Sequence, residues 1–437
     1  MYSLGIDIGT TSIAAVVVNM DDGAVAGAHA EPNGARVAGE SWESLQDPGV
    51  ILSKAEEIVR RLTAAHLGVR CVGLAGQMHG ILYADASGMA VSPLYTWQDG
   101  RGNLTRRGGL TYAESLSAET GKNLATGYGA VTHVYNMENG LVPDGAKWAV
   151  TIQDYVGMRL TGLREPLIHA TDATSFGSTD LYPFSSMLRI TDNTECVGHT
   201  GGGIPVAVAI GDNQASFIGA VGSPDDSVLI NMGTGGQISV AADGAARCEG
   251  VETRPYFDGD SLLVGFSLCG GRAYAMLERF FRDTAEMAGI LCGSLYDKMN
   301  LLAAPLLDNP LAVSTLFSGT RADPSLKGSI SGIGENNLTP AHLVQGVLRG
   351  MAGELYSQYP AMRAFMRKKP VTLVGSGNGI RKNPPLRKLF ESMFGMPMKI
   401  PAHNEEAAYG AALFAAAACG MRASIAEAQR VIRYCEA

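Results

Sequence analysis

The sequence predicts an α/β fold in two domains, and three observations carry that prediction. Apolar runs of strand length alternate with stretches of helical spacing, as in sheets flanked by helices. The pattern restarts after Gly201-Gly202-Gly203, near the middle of 437 residues. One strand–turn–strand design occurs once in each half. Ile6-Asp7-Ile8-Gly9-Thr10-Thr11 and Ile230-Asn231-Met232-Gly233-Thr234-Gly235 share the order apolar, polar, apolar, glycine, threonine, small. Two related domains are expected, 1–203 and 204–437, facing one another across a cleft. The length agrees, since a domain commonly takes about 100–200 residues.

The elements follow in order. Tyr2 to Ile8 is an extended apolar run, Gly9 to Ser12 a turn, and Ile13 to Asn19 a valine-rich strand ended by the hairpin signal Asp21-Asp22-Gly23. Leu52, Ala55, Ile58, Val59 and Leu62 recur at helical spacing. Val69 to Ala75 is a buried strand that runs into Gly76-Gln77-Met78-His79-Gly80. In the second half, Pro205 to Ile210 is a strand leading to Gly211-Asp212 and a helix from Ala215. Ser227 to Asn231 and Gln237 to Ala241 flank the second Gly-Thr turn, and Val371 to Val374 leads into Gly375-Ser376-Gly377-Asn378-Gly379. Glu405-Glu406 opens an alanine-rich helix reaching Ala418.

Composition narrows the function. Apolar residues make up 46% and charged residues 17%, enough for a core in each half. The net charge of −8 comes without a basic patch, so no nucleic-acid partner is expected. Seven cysteines with no CxxC pair fit a reducing compartment better than a disulfide framework or a zinc site. The start is strand-like with an acid inside, unlike a signal peptide. The apolar stretch Gly410 to Cys419 is far shorter than the roughly 20 residues of a membrane span. The expectation is a cytoplasmic protein with no membrane partner; a homodimer is allowed for.

Several motifs carry chemistry. A glycine after a strand lets backbone N–H groups approach an anion, and threonine hydroxyls add donors. Each Gly-Thr turn alone also reads as an ordinary hairpin turn; the pair, with Asp7 just before the first, favours phosphate. Asp212 follows a strand, where α/β active sites gather, and reads equally as a general base or an N-cap. Gln77, Met78 and His79 place polar groups at another strand end. Trp97, Asp99 and Arg101 read as a polyol-binding set or as a surface turn with a local Asp–Arg pair. The Gly375–Gly379 loop lacks the Lys-Ser/Thr of a P-loop and suits close approach of a nucleoside.

Taken in this order, the motifs resemble the FGGY carbohydrate kinases of the actin-like ATPase superfamily. The likeness spans nearly the whole chain. It implies two actin-like, ribonuclease H-like domains of mixed sheets flanked by helices, with the active-site cleft between them. It implies ATP and Mg²⁺ as cofactors and a sugar as substrate. Asp212 would be the catalytic base, and Asp7 with Asp212 would serve the metal. Thr10, Thr11, Ser12, Gly233, Thr234 and Gly235 would take phosphates, and Gly375, Gly377 and Asn383 the adenosine. Gln77, Met78, His79, Trp97, Asp99, Arg101 and Tyr128 would take the sugar. Thr126-Gly127-Tyr128-Gly129 and Gly375-Ser376-Gly377 look closest to the kinases of sedoheptulose, then xylulose; ribulose and glycerol kinases are less similar. The second family signature, from Gly328 to Leu343, departs at Gly346 and Arg349, and the first, around Tyr128 to Asn139, is degenerate. An actin-like ATPase and a non-catalytic sugar or nucleotide sensor are the readings of another class.

Overall fold

The computed structural model describes residues 1–435 except 182, 305, 306, 321, 322 and 324. By internal contacts the chain forms two compact units. The first comprises Met1–Gly222, Pro255–Phe257 and Glu405–Arg433, and the second Ser223–Arg254, Asp258–Asn404 and Tyr434–Ala437. Helices Asp212–Ala220 and Glu406–Ala418, which follow residue 203 in the chain, therefore pack within the first unit.

The first unit is built on a seven-stranded sheet of β1 (Tyr2–Ile8), β2 (Ser12–Asn19), β3 (Val25–Pro32), β4 (Val69–Gly76), β5 (Cys196–His199), β6 (Pro205–Ala207) and β7 (Ile210–Gly211). The order is β5-β6-β4-β1-β2-β3, with β7 also pairing β4. The central strand β1 is enclosed on both faces because helices cover both, as in buried α/β strands. Leu4, Ile6 and Ile8 enter the core with Ile51 and Ile58 of helix Pro48–Ala65. Ser3 and Gly5 alternate onto the other face, under helix Glu406–Ala418. There the Ser3 hydroxyl donates to the Ala412 carbonyl at 2.7 Å, and a Cβ on Gly5 would fall 1.9 Å from the Ala408 carbonyl oxygen. Asp7 comes next on that face.

The second unit carries a six-stranded sheet of β8 (Ser227–Met232), β9 (Gly236–Ala242), β10 (Glu252–Pro255), β11 (Ser261–Ser267), β12 (Thr372–Ser376) and β13 (Met398–Lys399), ordered β10-β11-β9-β8-β12-β13. It repeats the first sheet's plan: β8 pairs antiparallel with β9 and parallel with β12, as β1 does with β2 and β4. Val228, Ile230, Ile238 and Leu263 meet Val344, Leu348 and Met351 of helix Pro340–Tyr356 in its core. Both sheets are mixed and flanked by helices. Among the described residues no helix is long and apolar enough to cross a membrane.

Candidate active site

Parallel pairing brings three strand ends of the first unit into one row. Asp7 of β1 is level with Ala75 of β4, and Ala75 with Ile210 of β7. Gly211 ends β7 and caps the helix Asp212–Ala220, so Asp212 is the first residue inside that helix and not its cap. Asp7 and Asp212 thus stand at the C-terminal ends of β1 and β7, on either side of β4, and feel one another's charge. The Asp7 carboxyl is pushed up to about 8, first by burial, then by Asp212 and Glu405. Its Oδ1 is shielded from water and has no hydrogen-bond partner. A half-buried residue with one such oxygen, among other acids, lacks a positive charge.

Behind this row lie acids without motif signatures. Asp172 is fully buried, accepts from Gln153 Nε2 at 2.9 Å through Oδ1, and has no partner at Oδ2. Burial raises its carboxyl well above the usual range, and Asp154 and Asp212 add to the rise. Asp154 is pushed up to about 7 by burial, although Thr151 donates to its Oδ2 at 2.6 Å. The neighbouring Thr171 hydroxyl accepts from Gly211 N–H at 3.3 Å, tying this layer to the residue before Asp212.

The residues expected to hold sugar divide into two groups. Gln77 is buried, and its Oε1 accepts from the Thr10 hydroxyl at 3.2 Å; that same hydroxyl accepts from Trp97 Nε1 at 2.9 Å. The exposed ring of Trp97 is therefore anchored to the Gly-Thr turn. His79 adopts φ 74°, unusual for a residue with a side chain. Ser175 holds it there: its hydroxyl accepts from His79 N–H at 2.9 Å and its carbonyl lies 2.6 Å from Nδ1. That carbonyl fixes the proton on Nδ1. Tyr128 stacks on the imidazole at 4.7 Å and 12°. Gln77 and Trp97 are thus joined to the turn and His79 and Tyr128 to each other, while Met78 is buried with its thioether beside Gly211.

Asp99 and Arg101 form the second group, and neither has any exposure. Arg101 Nε donates to Asp99 Oδ1 at 2.5 Å, and Asp99 Oδ2 accepts from Ser44 N–H at 3.0 Å. The guanidinium sits 4.2 Å from the Tyr95 ring, is flanked by Trp42 and Tyr135, and also bonds Asn136. The local Asp–Arg pair is real but lies inside the protein. Its hydrogen-bonding capacity is spent on the fold.

The second unit holds a cavity of about 1050 Å³ whose walls include Gly233, Thr234, Gly377 and Asn383. Gly377 has φ 79°, and a Cβ there would meet the Met232 carbonyl oxygen at 2.6 Å, so only glycine brings the loop this close to β8. Asn383 is buried and caps helix Pro384–Phe394 by accepting from Leu386 N–H at 3.0 Å. Gly235 and Gly375 do not line the cavity. Motif reading missed Arg272, Tyr274, Tyr296, Asp297, Asn300 and Lys382, which complete the cavity. The Tyr274 hydroxyl donates to Asn300 Oδ1 at 2.9 Å, and Asn300 Nδ2 donates to the Lys382 carbonyl at 3.1 Å. Two tyrosine rings and two cations beside a Gly-Thr turn suit a flat base with a charged tail. Arg272 and Tyr274 are two residues apart in helix Gly270–Met287 and so lie on different faces of it, which left no periodic signal to join them.

Comparison with known proteins identifies the family. Residues 2–187 match the N-terminal domain, and 228–419 the C-terminal domain, of the FGGY family of carbohydrate kinases. A sedoheptulokinase of Mus musculus is 30% identical over 94% of this chain and 96% of its own. A xylulose kinase from Rhodospirillum rubrum superposes with a TM-score of 0.85 at 19% identity, covering 100% of this chain and 93% of that one. A Plasmodium falciparum glycerol kinase with ADP gives 0.79 at 16% identity, covering 98% and 92%.

Proposed function

The chain belongs to the FGGY family of carbohydrate kinases, and from that premise we propose that it transfers the γ-phosphate of ATP to the terminal hydroxyl of a ketose, sedoheptulose ahead of xylulose. It is a phosphotransferase acting on a sugar hydroxyl. The observation that carries the residue assignment is the row of strand ends, with Asp7 and Asp212 flanking β4 beside the Gly9–Ser12 turn. The sedoheptulokinase likeness supports the choice of sugar.

In this reading Asp212 accepts the proton from the attacking hydroxyl, a contribution of roughly 10²–10⁴-fold. Thr10, Thr11 and Ser12, with Gly233, Thr234 and Gly235, orient phosphate oxygens. Positioning dominates, since phosphoryl transfer asks little covalent chemistry of the protein. Among the described residues no three acidic, histidine or cysteine side chains form a metal cage of their own. Asp7 and Asp212 suit Mg²⁺, which takes one or two carboxylates and completes its shell with water and nucleotide phosphates. Held there, Mg²⁺ would supply positive charge against phosphate oxygens and answer the unpartnered Asp7 Oδ1. Gln77, Met78, His79, Trp97 and Tyr128 line the sugar, while Asp99 and Arg101 hold the loop that carries Trp97. Gly377 and Asn383 take the nucleoside.

The test is a coupled ADP-release screen over sedoheptulose, xylulose, ribulose and glycerol. Sedoheptulose should give the highest kcat/KM. Xylulose or glycerol in first place would replace the substrate. ADP release that no sugar stimulates would point to an actin-like ATPase, and sugar or ATP binding without turnover to a sensor.

A further inference from the structure

We propose that Gln46 is a positioning residue that holds the Gly9–Thr11 turn in its anion-binding form and couples it to Gln77 on the sugar side. The proposal rests on the kinase reading for the roles of the turn and of Gln77. Gln46 belongs to a two-residue strand, Leu45–Gln46, with no motif around it. It is only 5% exposed and Gln77 2%. Its Oε1 accepts from Gln77 Nε2 at 2.9 Å, and its Nε2 donates to the Thr10 carbonyl at 2.7 Å. Together with the Trp97-to-Thr10 and Thr10-to-Gln77 bonds, this gives four hydrogen bonds running in one direction, from Trp97 through Thr10, Gln77 and Gln46 back to the Thr10 backbone. Turning either amide over would set oxygen against oxygen, so the loop admits one arrangement.

The consequence for the turn follows from peptide planarity. In a trans peptide the carbonyl of one residue and the N–H of the next point opposite ways. Gln46 pins the Thr10 carbonyl, so it aims the Thr11 N–H away from itself. Asn33 pins the Gly9 carbonyl through Nδ2 at 2.8 Å and aims the Thr10 N–H likewise. Two successive N–H groups turned outward form an anion nest. Because Gln46 also grips Gln77, a sugar that draws on the Gln77 amide acts on the same bonds that orient Thr11. Only an amide both accepts and donates here. A carboxylate at position 46 would face the Thr10 carbonyl oxygen with no proton between them.

The test is calorimetry on the full chain with the imido analogue of ATP (AMPPNP) and with AMP, each with and without saturating sedoheptulose or xylulose. In Gln46→Glu, AMPPNP should bind about 10-fold more weakly, within the usual range of site coupling. AMP, which lacks the β- and γ-phosphates, should bind within about twofold of the parent. Any tightening of AMPPNP by sugar in the parent should fall to about twofold or less. Unchanged AMPPNP affinity would overturn the inference. So would equal losses for AMP and AMPPNP with a lower melting temperature, the mark of a merely structural residue. Should Gln46→Glu not fold, Gln46→Met keeps the length without donor or acceptor and carries the same expectations. A parent that releases no ADP with any sugar would defeat the kinase reading, and the nucleotide arm would still judge whether Gln46 orients the turn.

Discussion

The Gly9–Ser12 turn and the Gly233–Gly235 turn share a sequence design and a topology, yet they are held by different means. Side chains supply most of the bonds to the first: Asn33 and Gln46 take its carbonyls, and Trp97 and Gln77 take the Thr10 hydroxyl, with one main-chain bond from Asn33 N–H to the Thr11 carbonyl at 2.9 Å. Main chain holds the second. Gly233 N–H donates to the Gly235 carbonyl, Gly271 N–H to Gly233 and Arg272 N–H to Thr234, each at 3.0 Å. The strand before the first turn carries the acid Asp7, and the strand before the second carries Asn231. Among the described residues, the carboxyls raised by burial, Asp7, Asp154 and Asp172, all lie in the first unit. In the proposed reading, the shared scaffold serves two duties, reactive chemistry in one unit and nucleotide holding in the other.

The sharpest way to break this division is Asp212→Asn. Turnover should fall by about 10²–10⁴-fold in an ADP-release assay while calorimetry finds ATP binding retained. Near-normal turnover would take the base out of the first unit. Next comes Asp99→Ala, which leaves the Arg101 guanidinium buried without its partner. A cost of about 3–5 kcal/mol is expected, read as lost melting temperature and soluble yield. A stable Asp99→Ala that loses only sugar affinity would return Asp99 to the sugar site.

Gly270→Ala probes the second unit. A Cβ there would stand 2.4 Å from the Gly235 carbonyl carbon and 2.5 Å from Gly236 N, both backbone atoms. The turn must move, at about 1–3 kcal/mol, and nucleotide affinity should drop with sugar affinity unchanged in calorimetry. Loss of both would mean the duties are not separable by unit.

The buried acids give the first unit a pH signature. Burial pushes the Asp154 carboxyl up to about 7 from an ordinary 3.8, so between those values the folded state holds a proton that the unfolded state has lost. Its contribution to stability is full below pH 3.8 and falls as pH rises toward 7. Asp154→Asn needs no proton to stay neutral. It should flatten the decline of melting temperature over that window by a few degrees, about what 1 kcal/mol yields in a protein of this class. An unchanged profile would show Asp154 ionised in the fold. The smallest effect belongs to Trp97→Phe, which removes one half-exposed hydrogen bond to Thr10. About 0.5–1.5 kcal/mol in kcat/KM is expected, with stability unaltered.

Much of the fold was readable because periodicity and turn chemistry are local. The strand Tyr2–Ile8 and the end of the alanine-rich helix at Ala418 fall where alternation and composition put them, and Gly-Thr turns followed strands in both halves. Asp212, Gln77 and His79 could be singled out because each closely follows a strand. Gln46, Asn33 and Asp172 could not. Gln46 lies in a strand of two residues, Asn33 in a connection, and Asp172 in a helix of four, so no periodic pattern marks any of them. Asp99 and Arg101 were visible as a pair, but five residues of sequence do not tell a surface pair from one enclosed by Trp42, Tyr95 and Tyr135.

What the chain's order of residues settled was therefore the alternation of strands and helices, the doubled turn and the family. Tertiary structure decided which groups share an environment. Parallel pairing of β1, β4 and β7 sets Asp7 and Asp212 in one row although 204 residues lie between them in the chain. Return of Glu406–Ala418 to the first unit puts Glu405 near Asp7 and helps raise its carboxyl. Charge and burial act through space and fall off within a few ångströms, so a sequence can name the acids but only packing decides which of them must share a field.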